Sequence, residues 1–415
     1  MVARGRGGMT RSPEWARRLL TVSAREGHPG AQRELSHAHA TGALGVPRDD
    51  ALAVLLATTA ALGGDTQAMA TMGYRYMKGY GVPVNCQAAA RYWEGAAEAA
   101  ARAYEQRVGP AMLYRHRLSD EDISVGATHD PDEVVEYFAG RAEHGSRNAQ
   151  TALGQVFYHG LRDQPRDMAK AETFLERAVE QGDPVAKAML GRMHVERVVA
   201  APDLERAHRL LREAAAEEVG MAHASLAQAY EQGLGVERNV TQALAQYMRA
   251  GKRGYPTGHF HAGRLYLEGV NGRAADPKAA LAEFARGAAQ GNIMSLHAMA
   301  KMHRVGLGTR VDCDAASRNF KTVAESSNHH LAMAEAHDLY AQGDEEAALL
   351  LYSRLADQGR ELAQHNAAWL LARGWDYAGA REAAHSIVAA RDVVGGHGHG
   401  TGPASASTAG EGALE

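Results

Sequence analysis

Two cysteines, 21 histidines and the Gly-x-Gly steps that follow apolar stretches are the residues of this 415-residue chain whose types could carry chemistry. Gly79-x-Gly81, Gly233-x-Gly235 and Gly306-x-Gly308 have the look of phosphate cradles, in which backbone N–H groups surround an anion. None runs on into Gly-Lys-Ser/Thr, so each reads as a turn between helices. The pairs His259/His261, His329/His330 and His397/His399 never form His-Glu-x-x-His, and read as helix-face or loop histidines; the last could hold stray metal weakly. Cys86 and Cys313 belong to no C-x-x-C, and no Gly-x-Ser-x-Gly elbow is present. The residues therefore predict no catalytic group, no metal site and no cofactor. Asn239-Val240-Thr241 is the single N-glycosylation sequon.

The balance of 45 Lys+Arg against 49 Asp+Glu gives a net charge of −4, which argues against nucleic acid or an anionic membrane as partner. Aromatic residues make up only 6%, whereas there are 82 Ala and 12 Pro. That is a helical chain whose core is built from small side chains. The longest apolar run, 51–62, is too short to span a bilayer, and the Arg-rich start lacks a signal-peptide core.

What must position any functional residue is a repeat. A phrase of small–x3–Leu/Met–Gly/Ala–x2–Tyr/His–x2–Gly–x–Gly recurs at 68–82, 222–236 and 295–308, with weaker copies near Ala31, Ala149, Ala186 and Gly258. From Ala149 onward the copies start 36 or 37 residues apart. A second signal keeps the same beat. An Asp or Asn stands four residues before an Ala at Asp49, Asn85, Asp167, Asp203, Asn239, Asp276 and Asp312. These are helix N-caps, whose oxygen accepts from free N–H groups of the first turn. Ala–x3–bulky–x3–small follows, as in Ala89/Trp93/Ala97 and Ala316/Phe320/Ala324, and forms one face of a helix. Each unit is thus helix A, a Gly turn, helix B and a polar turn. One unit cannot bury its own stripe, so the units stack into an all-α solenoid. The repeat aromatics Tyr74, Tyr76, Tyr92, Trp93, Tyr230 and Tyr266 are expected in its core.

Period and phrasing resemble the Sel-1-like repeat family, whose pattern is nearly complete in Met72-Gly73-Tyr74 through Val82. Further segments narrow the likeness: the non-repeat stretch 104–131 containing Arg115-His116-Arg117-Leu118-Ser119-Asp120-Glu121, the lone helix-B-like piece 134–145, and the irregular part with Tyr340-Ala341-Gln342-Gly343-Asp344 and Leu362-Ala363-Gln364-His365-Asn366. Over roughly 45–372 these resemble the luminal adaptors of HRD-type ubiquitin ligases in the endoplasmic reticulum. The resemblance implies a non-catalytic adaptor of ER-associated degradation. Its partners would be a membrane ubiquitin ligase, lectins and misfolded glycoproteins. The alternative is a generic Sel-1-like scaffold with unrelated signalling or organellar partners.

The expected organisation is a disordered segment 1–27, repeats over 28–103, an insertion at 104–131, the main solenoid over 132–375, a terminal helix at 376–394 and a disordered tail at 395–415. The thin cover over the apolar stripe at Ala367–Leu371 predicts self-association or a bound partner. Cys86 and Cys313 each follow a helix-B cap in repeats far apart along the array. Both are therefore expected as free thiols, because a bridge would have to cross several repeats.

Overall fold

The computed structural model describes residues 12–106, 131–161, 164–269, 274–326 and 329–373. The described residues contain nineteen α-helices and no strand. The A/B pairs are α2 (Pro29–Thr41) and α3 (Asp50–Leu62), α4 (Thr66–Lys78) and α5 (Cys86–Gln106), α7 (Arg147–His159) and α8 (Met168–Glu180), α9 (Pro184–Val195) and α10 (Leu204–Ala216). They continue with α11 (Gly220–Gln232) and α12 (Val240–Lys252), α13 (Thr257–Glu268) and α14 (Pro277–Ala289), α15 (Ile293–Val305) and α16 (Cys313–Glu325), α17 (His329–Ala341) and α18 (Glu345–Asp357). Helices α1 (Pro13–Arg25), α6 (Pro131–Glu143) and α19 (Glu361–Ala372) complete the set.

Local chemistry accounts for the repeat geometry. Each B-helix of the array starts where an Asp or Asn side-chain oxygen accepts a backbone N–H three residues on: Asn85 from Ala88 (2.9 Å), Asp167 from Lys170 (3.0 Å), Asp203 from Arg206 (2.8 Å), Asn239 from Gln242 (3.0 Å), Asp276 from Ala279 (3.0 Å) and Asp312 from Ala315 (2.8 Å). A glycine inside helix A then admits the bulky residue of helix B. A Cβ on Gly73 would lie 2.8 Å from the Trp93 ring, and one on Gly263 2.6 Å from Phe284. Trp93, Leu175, Leu211, Phe284 and Phe320 are fully buried at that bulky position. Tyr74 is buried as well, while Tyr76, Tyr92, Tyr230 and Tyr266 are half-buried.

From α6 to α16 the helices stack in sequence order. The array then does something the repeat beat does not encode. Helix α5 lies along α16 in the most extensive helix packing among the described residues. Glu94 and Glu98 of α5 meet Arg304 (3.0 Å) and Lys301 (2.9 Å) of α15, so α5 runs against α15 and with α16. Ala89, Trp93, Ala97, Ala316, Phe320 and Val323 share one core there. The N-terminal repeats therefore take the place beside α16 that the next helix A would occupy. Helices α17–α19 turn aside and share a core with α1 and α2, where Ala16, Ala38 and Leu44 meet Leu349, Tyr352, Leu370 and Leu371.

Three sequence expectations are corrected by this arrangement. Cys86 and Cys313 form a disulfide, with Cα atoms 5.7 Å apart. They occupy equivalent positions, one residue after a cap, and two B-helices packed side by side bring equivalent positions together. Residues 13–25 are not disordered but form α1, capped by Ser12 and burying Ala16 and Ala24. The stripe on α19 is not left under thin cover: Ala363, Ala367, Leu370 and Leu371 are buried in the core shared with α1 and α2. The expectations for 1–11, for most of 104–131, for 376–394 and for 395–415 lie outside the described residues.

Candidate interaction surface

The Gly-x-Gly steps serve as interhelix turns. Gly79, Gly233 and Gly306 end their A-helices at φ 79°, 73° and 74°, and a Cβ on Gly308 would lie 2.5 Å from the carbonyl oxygen of Pro277. The neighbouring helix start fills the space an anion would need. His261 stacks on Tyr247, ring centroids 4.8 Å apart, and burial pushes its pKa down to about 4. The side chains of His329 and His330, and residues 397–399, lie outside the described residues.

One face of the A-helices carries charges at a shared step, broken at α11 by Gln228. Arg192, Arg264 and Lys301 sit at the same step of α9, α13 and α15. Arg192 binds Glu196 (2.7 Å) and donates to the Tyr255 hydroxyl (3.2 Å), with its guanidinium 5.5 Å from the Tyr158 ring centroid. Tyr158 in turn donates to Glu196, and burial raises the pKa of its hydroxyl. Arg264 binds both Glu231 and Glu268, and Tyr247 donates to Glu231 at 2.8 Å. Charge-assisted bonds within and between repeats thus satisfy these groups and set the repeat register. The sequence pointed to none of this network, because its partners stand from 4 to 63 residues apart and follow no single spacing.

A second polar knot lies where α2 and α4 meet α18 and α19. Glu34 pairs with Arg354 and Arg75 with Asp357 (3.5 Å), Tyr74 Oη accepts from Gln364 (2.9 Å), and His37 Nε2 lies 3.3 Å from Ser353 Oγ. Burial, with Arg354, Arg75 and Arg33 nearby, pushes the pKa of His37 down to about 3.

Glu172, Glu176 and His194 bring one ligand atom each within 4.8 Å of one another. His194 Nδ1, however, accepts the Asp203 N–H at 3.1 Å, which leaves the ring proton on Nε2. That nitrogen is then a donor toward the carboxylates and offers no lone pair to a cation. Arg206 already binds Glu176.

Two consecutive repeats hold a buried histidine in the same manner. His223 of α11 meets Gln246 of α12, Nδ1 to Oε1 2.8 Å, and His259 of α13 meets Glu283 of α14, Nδ1 to Oε2 2.7 Å. Above the second pair a cavity of about 530 Å³ opens between α12 and α14. No cavity-forming signal was legible in the repeat phrase. The glycines beside His259, Gly251 and Gly287, stand where α10 and α12 have Ala215 and Ala250.

Comparison with known proteins accords with this architecture. The Sel1 repeat matches residues 29–65, 66–100, 147–183, 184–218, 220–255, 256–292 and 326–359, more than half of the chain. The unit 293–325 has the same construction, with Asn292 and Asp312 capping α15 and α16. The chain is 29% identical over 154 residues to human "Protein sel-1 homolog 2", covering 37% of this chain and 22% of that protein. It is 25% identical over 370 residues to "ERAD-associated E3 ubiquitin-protein ligase component HRD3B" of Arabidopsis thaliana, covering 88% of this chain and 53% of that protein. The chain therefore spans at most about half the length of these relatives. A Sel1 repeat protein from Oxalobacter formigenes is similar in structure at 23% identity and a TM-score of 0.41, over 76% of this chain and 90% of that one. The chain belongs to the Sel1 repeat family.

Proposed function

We propose that this Sel1 repeat scaffold is a non-catalytic adaptor of ER-associated degradation, linking misfolded glycoproteins and a lectin to a membrane ubiquitin ligase. The observation that carries the reading is the Cys86–Cys313 bridge, which joins positions 227 residues apart. Such a bridge persists in an oxidising compartment and is reduced in the cytosol. The similarity to HRD3B over 88% of the chain supports the same reading. No described helix is long and apolar enough to cross a membrane, so this part of the adaptor would reach the bilayer through its ligase partner. Asn239 caps α12 through Oδ1, which leaves Nδ2 as the glycan acceptor in that compartment.

The test is affinity capture from the native organism after acid quenching and thiol alkylation. The expected result is an oxidised Cys86–Cys313 pair, a ligase and a lectin in the eluate, and a mobility shift at Asn239 on deglycosylation. Two alkylated thiols and an eluate without ligase components would overturn the reading. The second reading, a scaffold with other signalling or organellar partners, is favoured by the similarity to chitin synthase regulatory factor 3 of Schizosaccharomyces pombe, 24% identical over 57% of this chain. That relative is covered over 25% of its length.

A further inference from the structure

We propose that the cavity over the His259–Glu283 pair is a docking site for an acidic side chain of a peptide segment. The inference rests on the chain being a protein-binding scaffold, but not on its compartment or on the identity of the ligase.

The argument begins with how His259 is seated. Its ring lies in a slot against α12 that exists because position 251 is glycine, while Gly287 of α14 makes room chiefly for Ser295. A Cβ on Gly251 would lie 2.5 Å from the ring, and one on Gly287 3.2 Å from His259 Cβ. In the preceding repeat the same flanks are Ala215 and Ala250, around His223. The slot is thus particular to this repeat. Gln290 donates to the Gly251 carbonyl (3.1 Å) and ties α14 to the end of α12 at the cavity's edge.

Charge then selects the ligand. Glu283 is buried and both of its oxygens are engaged, Oε2 with His259 Nδ1 and Oε1 with Arg286. Nδ1 donates to this carboxylate, so the ring faces the cavity with an Nε2 that makes no hydrogen bond among the described residues. Arg286 is mostly exposed at the rim, and Lys252 stands opposite on α12 with no carboxylate within ion-pair distance among the described residues. One internally satisfied carboxylate therefore faces two cations, Arg286 and Lys252. A further cation would be repelled, whereas a carboxylate gains the unspent charge of Lys252 and half of Arg286's guanidinium. The walls between these polar tips are apolar, from Met248, Ala289 and the stems of the two cations. That combination fits a carboxylate carried on a short aliphatic stem, as in Glu. The volume lies within the range of sites that enclose a small ligand group.

The experiment is fluorescence anisotropy with the purified full-length chain and a labelled, C-terminally amidated Gly/Ser peptide carrying a central Leu-Glu-Glu-Leu step. A second arm replaces both Glu by Gln. A third is the Gln peptide with a free C-terminal carboxylate. We expect the Glu peptide to bind at least tenfold more tightly than the Gln peptide, and Lys252→Glu to cost tenfold or more. Lys252 is exposed, so this variant keeps the fold, which an unchanged melting curve checks. Glu283→Gln copies the His223–Gln246 pair and removes the competing negative charge, so it should bind the Glu peptide several-fold more tightly. Equal binding of the Glu and Gln peptides, no binding of either, or indifference to Lys252→Glu would each overturn the proposal. Binding of the free-carboxylate peptide alone would overturn it too, by naming the chain terminus as the ligand. Because the assay contains only this chain and synthetic peptides, its failure leaves the adaptor reading intact.

Discussion

Between α14 and α15 the array moves from one repeat to the next through Gln290-Gly291-Asn292, and Asn292 caps the new helix within hydrogen-bond reach of the old one. Between α5 and α16 two helices meet whose first residues are 227 positions apart. The buried surfaces are alike in being Ala-rich around large side chains: Phe284 and Met302 inside the stack, Trp93 and Phe320 at the junction. Their chain connectivity differs. A neighbouring repeat is held close by its turn whether or not its core is well packed. The junction must offset the full entropy of bringing distant segments together, so it depends on packing, on two ion pairs and on a covalent bond. The interior of the array is therefore expected to tolerate damage that the junction does not.

The largest expected effect comes from the ring at that junction. Phe320→Ala should destabilise the protein by about 3–5 kcal/mol, and Phe284→Ala by a similar local amount. The two should differ in what comes apart. Loss of Phe320 should loosen the contact of α5 with α16, giving an early transition and faster hydrogen exchange in those two helices, whereas loss of Phe284 should loosen α13–α15 only. Hydrogen exchange read by mass spectrometry separates the cases, and identical exchange maps would break the comparison. Next in size is the covalent bond. Cys86→Ser should cost roughly 2–4 kcal/mol in the oxidised protein and nothing once the wild type is reduced, as read from urea midpoints.

These same regions mark how far the sequence could be read. Caps, stripes and the Gly-to-ring contacts are short-range, set by residues three to about twenty apart, and the 36–37 residue beat displays them repeatedly. Helix α5 meeting α16 is invisible to that beat. Every B-helix carries the same Ala-x3-bulky stripe, so nothing in the period says which two stripes will face each other after the break at 104–131. A simple solenoid separates equivalent positions, so the sequence alone predicts distant cysteines. In a side-by-side pair of B-helices, equivalence is what brings them together. The slot at Gly251 was hidden for a related reason: it is a departure from Ala at a position where the phrase already allows any small residue.

A fall in pH should act on the contact of α2 with α18 and on the stack alike, because buried histidines with lowered pKa values stand in both. His37 is buried among Arg33, Arg75 and Arg354, and its pKa is about 3 in the folded protein against 6.5 in an unfolded chain. The unfolded chain binds the proton more readily, so stability is full above pH 6.5 and falls as pH drops toward 3. At pH 5 the loss amounts to ~2 kcal/mol for this one group, since 1.5 pH units have been crossed. His261 and His297, each with a pKa near 4, add to the same trend from within the stack. His37→Gln should flatten the dependence of the first unfolding transition on pH between 6.5 and 5. An unchanged slope would mean that His37 is not what ties that transition to acid.

The smallest expected effect tests whether a cap matters more where no turn tethers its helix. Asp203→Ala removes the bond to Arg206 N at the start of α10, and Asn85→Ala removes the bond to Ala88 N at the start of α5. Capping bonds of this kind are worth about 1 kcal/mol. In the stack, α10 remains held by α9 and α11 on either side, so Asp203→Ala should shift the urea midpoint by that amount and no more. Asn85 stands directly before Cys86, and fraying the first turn of α5 would also move the sulfur that meets Cys313. The Asn85→Ala cost should therefore exceed the Asp203→Ala cost in the oxidised protein, and the two should converge when the bridge is reduced. A double-mutant cycle of Asn85→Ala with Cys86→Ser reads the coupling directly, and strict additivity would show that cap and bridge act independently.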